Sequence, residues 1–195
     1  MISLAGLRRH LRRARDDEDG SIAVETVLMV PLMAWAMLAT LTFFDAYRAE
    51  AISYKAGLTV ADMYSRETDY ITPAYVSGSR NLLRFLATDD PNPDLRVTAF
   101  KYDAGQNKYL VVWSKERGPR KSLKTSELSG FSNRLPLMAD GEVAIMVETW
   151  IEYTPPWSVG IGAFTMETYN IISPRFSTKI CWNATPDQGQ ATEVC

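Results

Sequence analysis

The chain has 195 residues, 46% of them hydrophobic and 23% charged, with a formal net charge of −2. That balance suits a folded chain rather than a disordered one, and neither the basic footprint of a nucleic-acid binder nor a strongly acidic tail dominates the chain as a whole. The only histidine is His10, so everything downstream is without a histidine triad, a histidine metal site or a histidine acid/base pair.

The N-terminal stretch is sharply polarised. Arg8, Arg9, Arg12, Arg13 and Arg15 stand with no acid among them, the acids Asp16, Asp17, Glu18 and Asp19 follow without a break, and Gly20 closes the block. From Thr26 to Phe44 no residue is charged and Val, Leu, Met and Phe dominate. As a helix at about 1.5 Å per residue, this run nearly matches a hydrocarbon core of about 30 Å. A soluble core helix shows water a polar face, and this run has none before Asp45. The expectation is therefore a single transmembrane helix. Five arginines before it against Arg48 and Lys55 after it put the N-terminus in the cytoplasm and the remainder outside.

Beyond Asp45 the helical pattern continues, with Tyr47, Ala51, Tyr54, Leu58 and Ala61 recurring at spacings of four and three between charged residues. One two-part helix from Ser21 to about Tyr64 is predicted, apolar in its first half and amphipathic in its second. Pro31 should kink its first third. A shorter helix is expected over Ser79 to Ala87, ended by Asp89-Asp90-Pro91-Asn92-Pro93. Strands are expected over Leu95 to Tyr102 and Lys108 to Ser114, as a hairpin, with Glu116 to Pro136 as a polar loop. Val143 to Tyr153 alternates most clearly, with Val143, Ile145, Val147, Thr149, Ile151 and Tyr153 on one face and Glu148 and Glu152 on a solvated one. It should pair with Thr165 to Ile172 across an open Pro/Gly-rich connection, and Phe176 to Trp182 should add a last strand.

The fold class is thus α+β: a long N-terminal transmembrane and amphipathic helix packed on a small antiparallel sheet. Three regions follow, a leader over 1–20, the helix over 21–64 and an exported domain over 65–195. Cys181 and Cys195 are the only cysteines; on the exported side a bridge between them is expected, with two free thiols as the alternative. Trp113, Trp150 and Trp182 are expected in the core, whereas Trp157, in a Pro-Pro-Trp loop, is an exposed aromatic able to anchor a partner. The basic stretch from Arg117 to Lys124 reads as a solvated loop, and Asn183-Ala-Thr185 as a chance match to the glycosylation triplet.

Asp16-Asp-Glu-Asp-Gly20-Ser21-Ile-Ala-Val-Glu25, followed by Thr-Val-Leu-Met-Val-Pro31-Leu, resembles prepilin leaders, in particular those of TadE-like pilus-assembly pseudopilins of tight-adherence systems. Val143 to Pro156, a strand running into Tyr-Thr-Pro-Pro, looks like the later part of that family. The resemblance implies a pilin-like fold and cleavage by a prepilin peptidase between Gly20 and Ser21. It also implies a role for Glu25 in subunit assembly, meeting the free amine of a neighbouring chain. Implied partners are that peptidase, other pilins or pseudopilins and inner-membrane pilus machinery. The function implied is that of a minor pilin or pseudopilin in the bacterial inner membrane, its domain in the periplasm, which helps assemble a surface pilus used in cell adhesion. No catalytic residue, metal or cofactor is expected. Two alternatives compete: a secretory signal cut after Ala36, and an uncleaved anchor holding an envelope binding protein.

Overall fold

The structure, a computed structural model, describes residues 19–87, 90–131, 133–186 and 193–195. Most of the expected leader, and His10 with it, lies outside these residues. Helix α1 spans Asp19–Ser65 and runs unbroken through Pro31, close to the predicted Ser21 to Tyr64. The chain divides into two compact units: residues through Asp45 with Pro156–Ile161, and Ala46–Pro155 with Gly162–Cys195. The second half of α1 therefore belongs to the same unit as the sheet.

In that second unit, α2 (Pro73–Leu86) starts six residues before the expected Ser79. Thr72 and Pro73 supply the reason. The Thr72 hydroxyl accepts from the Tyr75 N–H at 3.2 Å, and Pro73 at the first helical position gives up an N–H that would have lacked a partner anyway. Strands β1 (Asp94–Asp103), β2 (Lys108–Arg117), β3 (Val143–Tyr153) and β4 (Phe164–Ile172) form one antiparallel sheet in the order β2-β1-β3-β4. All four match predicted strands, β3 at both ends.

One sheet face packs on α1 and α2, where Val97, Ala99, Ile145, Val147 and Ile151 meet Ala56, Val60, Ala61, Tyr64, Val76 and Leu83. Here the expected helix face needs correcting. Tyr47, Ala51, Tyr54 and Leu58 are exposed, and the buried face carries Ala49, Ser53, Ala56, Gly57, Val60, Ala61 and Tyr64. The β-branched residues of the sheet already fill the layer, so the helix contributes mainly small side chains and approaches closely.

The other face is not solvated as predicted. Ala144, Met146, Glu148 and Trp150 are buried, and only Glu152 is exposed. The segment expected as a polar loop covers part of it: Leu123 and Leu128 pack on Phe100, Ala144 and Met146, with Phe131, Leu135 and Met138 alongside. Within that segment lie the end of β2, a one-turn helix α3 (Thr125–Leu128) and a 3-10 turn (Ser129–Phe131). Its apolar residues are sparse and follow no helical or strand period, which hid their covering role.

No strand forms over Phe176 to Ile180, where Ile180 alone is buried; a half-buried strand needs inward residues at alternate positions. The chain there is held by the Trp113 indole, which donates to the Ile180 carbonyl at 2.8 Å. Short strands β5 (Trp182–Asn183) and β6 (Glu193–Val194) then pair with each other. Ile71 docks beside them, its N–H donating to the Cys181 carbonyl and its carbonyl accepting from Asn183.

Candidate functional site

Between Ile22 and Phe44, α1 is exposed at every position except Ala39 and Thr42. Over its most apolar stretch of 18 residues the mean hydropathy is 2.0, and only 6% of that stretch is buried. Among the described residues this is one helix long and apolar enough to cross a membrane. Exposed Val, Leu, Met and Phe point to all sides of it, so no single face is set aside for water. Its hydroxyls are satisfied locally, as an apolar surrounding requires: Thr26, Thr40 and Thr42 each donate to the carbonyl four residues earlier, at 2.7, 2.9 and 2.8 Å.

Glu25 is exposed near the start of this stretch and Asp45 stands at its end. The twenty steps between them span roughly 30 Å along the helix axis. Gly20 and Ser21 lie within α1, at the start of its described residues. One stretch of chain therefore holds Gly20, Ser21 and Glu25 together.

The other two expected site residues lie far along the chain. Cys181 and Cys195 are joined, with sulfurs 2.08 Å and Cα atoms 4.4 Å apart. The bridge links the residue just before β5 to the one just after β6. Asn183 of the glycosylation triplet is buried beside it.

A polar site absent from the sequence expectations lies on the covered sheet face. Arg96 on β1 stands directly opposite Glu148 on β3, and its Nε and Nη2 donate to the two carboxylate oxygens at 2.6 and 2.7 Å. Its remaining Nη1 donates to the Lys121 carbonyl at 3.0 Å. The Glu148 side chain is 1% exposed, a burial that a carboxylate tolerates only with such a partner. Both oxygens are engaged by one guanidinium, so the pair locks register and offers no free base. The Arg96 and Arg120 guanidinium carbons lie 5.2 and 4.7 Å from the Trp150 ring centre.

Next to Trp150 opens a cleft of about 420 Å³, lined by Arg80, Asp90, Asp94, Arg120, Trp150 and Glu152 among others. Burial pushes the Asp94 carboxyl above its ordinary range, while Arg120 and Arg80 pull it back and Asp90 raises it further. The basic stretch expected to be solvated is partly structural: Arg117 donates to the Ser77 hydroxyl at 2.9 Å and to the Pro73 carbonyl at 2.6 Å. Trp113, Trp150 and Trp182 are buried and Trp157 is 45% exposed, as their settings suggested. Glu148 alternates out of phase with the apolar residues of β3, and its one audible signal was Arg96 at the matching place on another strand. Comparison of the chain with family models, curated proteins and solved structures finds no match.

Proposed function

We propose that this chain is a membrane-held, pilin-like structural subunit, a minor pilin or pseudopilin that takes part in assembling a tight-adherence type surface pilus. The observation that supports it best is the two-part character of α1. One stretch is apolar on every side and bare, and the next presents small residues to the core of an antiparallel α+β unit. A protein built this way can be stored in a bilayer by its first stretch and handed to a helical assembly without refolding its domain.

On this reading residues 1–20 are a cytoplasmic leader, α1 crosses the inner membrane once, and the sheet unit lies in the periplasm. A prepilin peptidase cuts between Gly20 and Ser21, and the new Ser21 amine becomes the cation that Glu25 of a neighbouring pilin lacks. A carboxylate in an apolar span costs up to about 3 kcal/mol on insertion scales when central and less near an interface, so pairing it favours association. The Glu25→Ala variant should insert and be cleaved normally but crosslink less to other pilins and yield fewer pili.

Intact mass of the membrane-extracted protein tests the reading. A chain beginning at Ser21 is expected. One beginning at Met37 would mean an ordinary secretory signal. One beginning at Met1 would favour an envelope binding protein on an uncleaved anchor, for which the charged cleft beside Trp150 is the natural ligand site.

A further inference from the structure

We propose that the loop Pro156–Ile161 is a membrane-interface anchor, with Trp157 seated where headgroups meet acyl chains in the phospholipid bilayer, at the Asp45 end of the span. The proposal rests on the reading of α1 as membrane-spanning and adds a second point of attachment to it. The loop forms one compact unit with the helix through Asp45. In that unit Val159 is the buried loop residue, the buried helix positions are Ala39 and Thr42, and Asp45 is half-buried. The loop therefore packs at their level. Thr42 and Ala39 precede Asp45 by three and six residues, or about 4.5 and 9 Å along the axis, the depth to which interfacial segments sink their apolar side chains.

Composition supports the same placement independently. From Tyr153 to Met166 the chain has no charged residue, whereas a connection facing water would ordinarily carry some. The loop keeps its form without charged groups: Pro155 and Pro156 stiffen its entry, the Val159 N–H donates to the Trp157 carbonyl at 3.1 Å, and Gly160 turns at φ +106. Trp157 remains 45% exposed, an apolar ring with one N–H, the side chain that membrane interfaces favour. Lipid is the occupant because the helix around Ala39 and Thr42 is apolar on its other sides too. A single protein partner would need one such face only.

The test uses the full-length chain in vesicles of phosphatidylethanolamine and phosphatidylglycerol, with a nitroxide on Ser158→Cys. Met33→Cys serves as the control for the span and Gln106→Cys as the control for water; the native cysteines are paired with each other. The ratio of collisions with oxygen to collisions with a water-soluble nickel chelate reads depth. Position 158 should give a ratio several-fold above position 106 and below position 33, and adding Trp157→Ser should move it several-fold toward water. If position 158 equals position 106 while position 33 reads lipid, the loop anchor is overturned and the span stands. Spin–spin broadening at 158 that unlabelled protein relieves would mean that a second copy covers the loop, which also overturns it. A position 33 that reads as water overturns the span and the anchor together.

Discussion

Gly57 offers the sharpest test of how α1 packs on the sheet. A Cβ added there would lie 2.5 Å from the Thr168 hydroxyl oxygen, 3.0 Å from the Asn170 amide nitrogen and 3.5 Å from the Thr149 hydroxyl oxygen. The first distance is impossible without movement. Thr168 is β-branched and stiff at χ1, and its hydroxyl shares a 2.6 Å hydrogen bond with Thr149 in a buried setting. Rotating it away leaves that hydroxyl pair unmade, at about 1–3 kcal/mol, and pushing helix from sheet instead costs a similar amount through overpacking. Against this, alanine gains about 1 kcal/mol over glycine in a helix interior. Gly57→Ala is therefore expected to lose about 1 kcal/mol. Gly78 in α2 is the matched control, since a Cβ there meets nothing within 4 Å; Gly78→Ala should gain up to about 1 kcal/mol. Urea unfolding of the detergent-solubilised chain, followed by tryptophan fluorescence, reads both. The double variant Gly57→Ala/Thr168→Ala should lose less than the sum of its single changes. A Gly57→Ala chain as stable as the parent, or a double variant that is strictly additive, would refute the close-approach argument.

Arg96→Met should cost about 3–5 kcal/mol by stranding the Glu148 carboxylate, and adding Glu148→Leu should recover most of it; equal losses in single and double variants would contradict a buried pair. Tyr64 is fully buried and its hydroxyl accepts from Ser79 at 3.0 Å. Burial raises its phenol well above the ordinary 10.0 and pushes that of Tyr169 up to about 12. Their folded values exceed the unfolded one, so this stability is complete below about pH 10 and is lost as pH rises through the folded values. Unfolding curves taken above pH 10 should show that loss, with a shallower slope in Tyr64→Phe; identical slopes would rule Tyr64 out. Reducing the Cys181–Cys195 bridge, which closes a separation of 14 residues, should cost about 3 kcal/mol. Alkylation without reductant of protein from the native envelope should leave both thiols unmodified, and labelling of either would count against the bridge.

The long helix and the four strands were legible because their signals are local. An uncharged run of adequate length needs no knowledge of partners, and the alternation in β3 from Val143 to Tyr153 carries its own period. What failed depends on which surface is covered. Tyr47, Tyr54 and Leu58 have the spacing of a core face, yet the sheet takes Ala49, Ser53, Ala56, Gly57 and Val60. Both faces are admissible by period, and the choice falls to volume: opposite Ile145, Val147 and Ile151 the helix brings small residues close, with Tyr64 the one large side chain it buries there. Period alone cannot register that.

Glu148 carries the same lesson for charge. Residue by residue, a carboxylate on the second face of a strand reads as solvated. Its burial follows from two facts that are not local, the register that sets Arg96 directly across from it and the covering segment that brings Leu123 and Leu128 over the neighbouring part of that face. The segment holds its ground with few apolar residues because polar groups tie it down: the Leu123 N–H donates to the Ser114 hydroxyl at 2.9 Å, and the Lys121 carbonyl accepts from Arg96 at 3.0 Å. Arg96 thus both neutralises the buried acid and pins the cover that buries it. Loss of Arg96 should therefore loosen residues 118–138 as well as lower stability. Hydrogen exchange would separate the two effects, since Arg96→Lys keeps a charge beside Glu148 but cannot reproduce the forked contact to both carboxylate oxygens and the Lys121 carbonyl. Faster exchange across 118–138 in Arg96→Lys, with the β1–β3 amides still protected, is the expected pattern; unchanged exchange in the cover would deny Arg96 that second role.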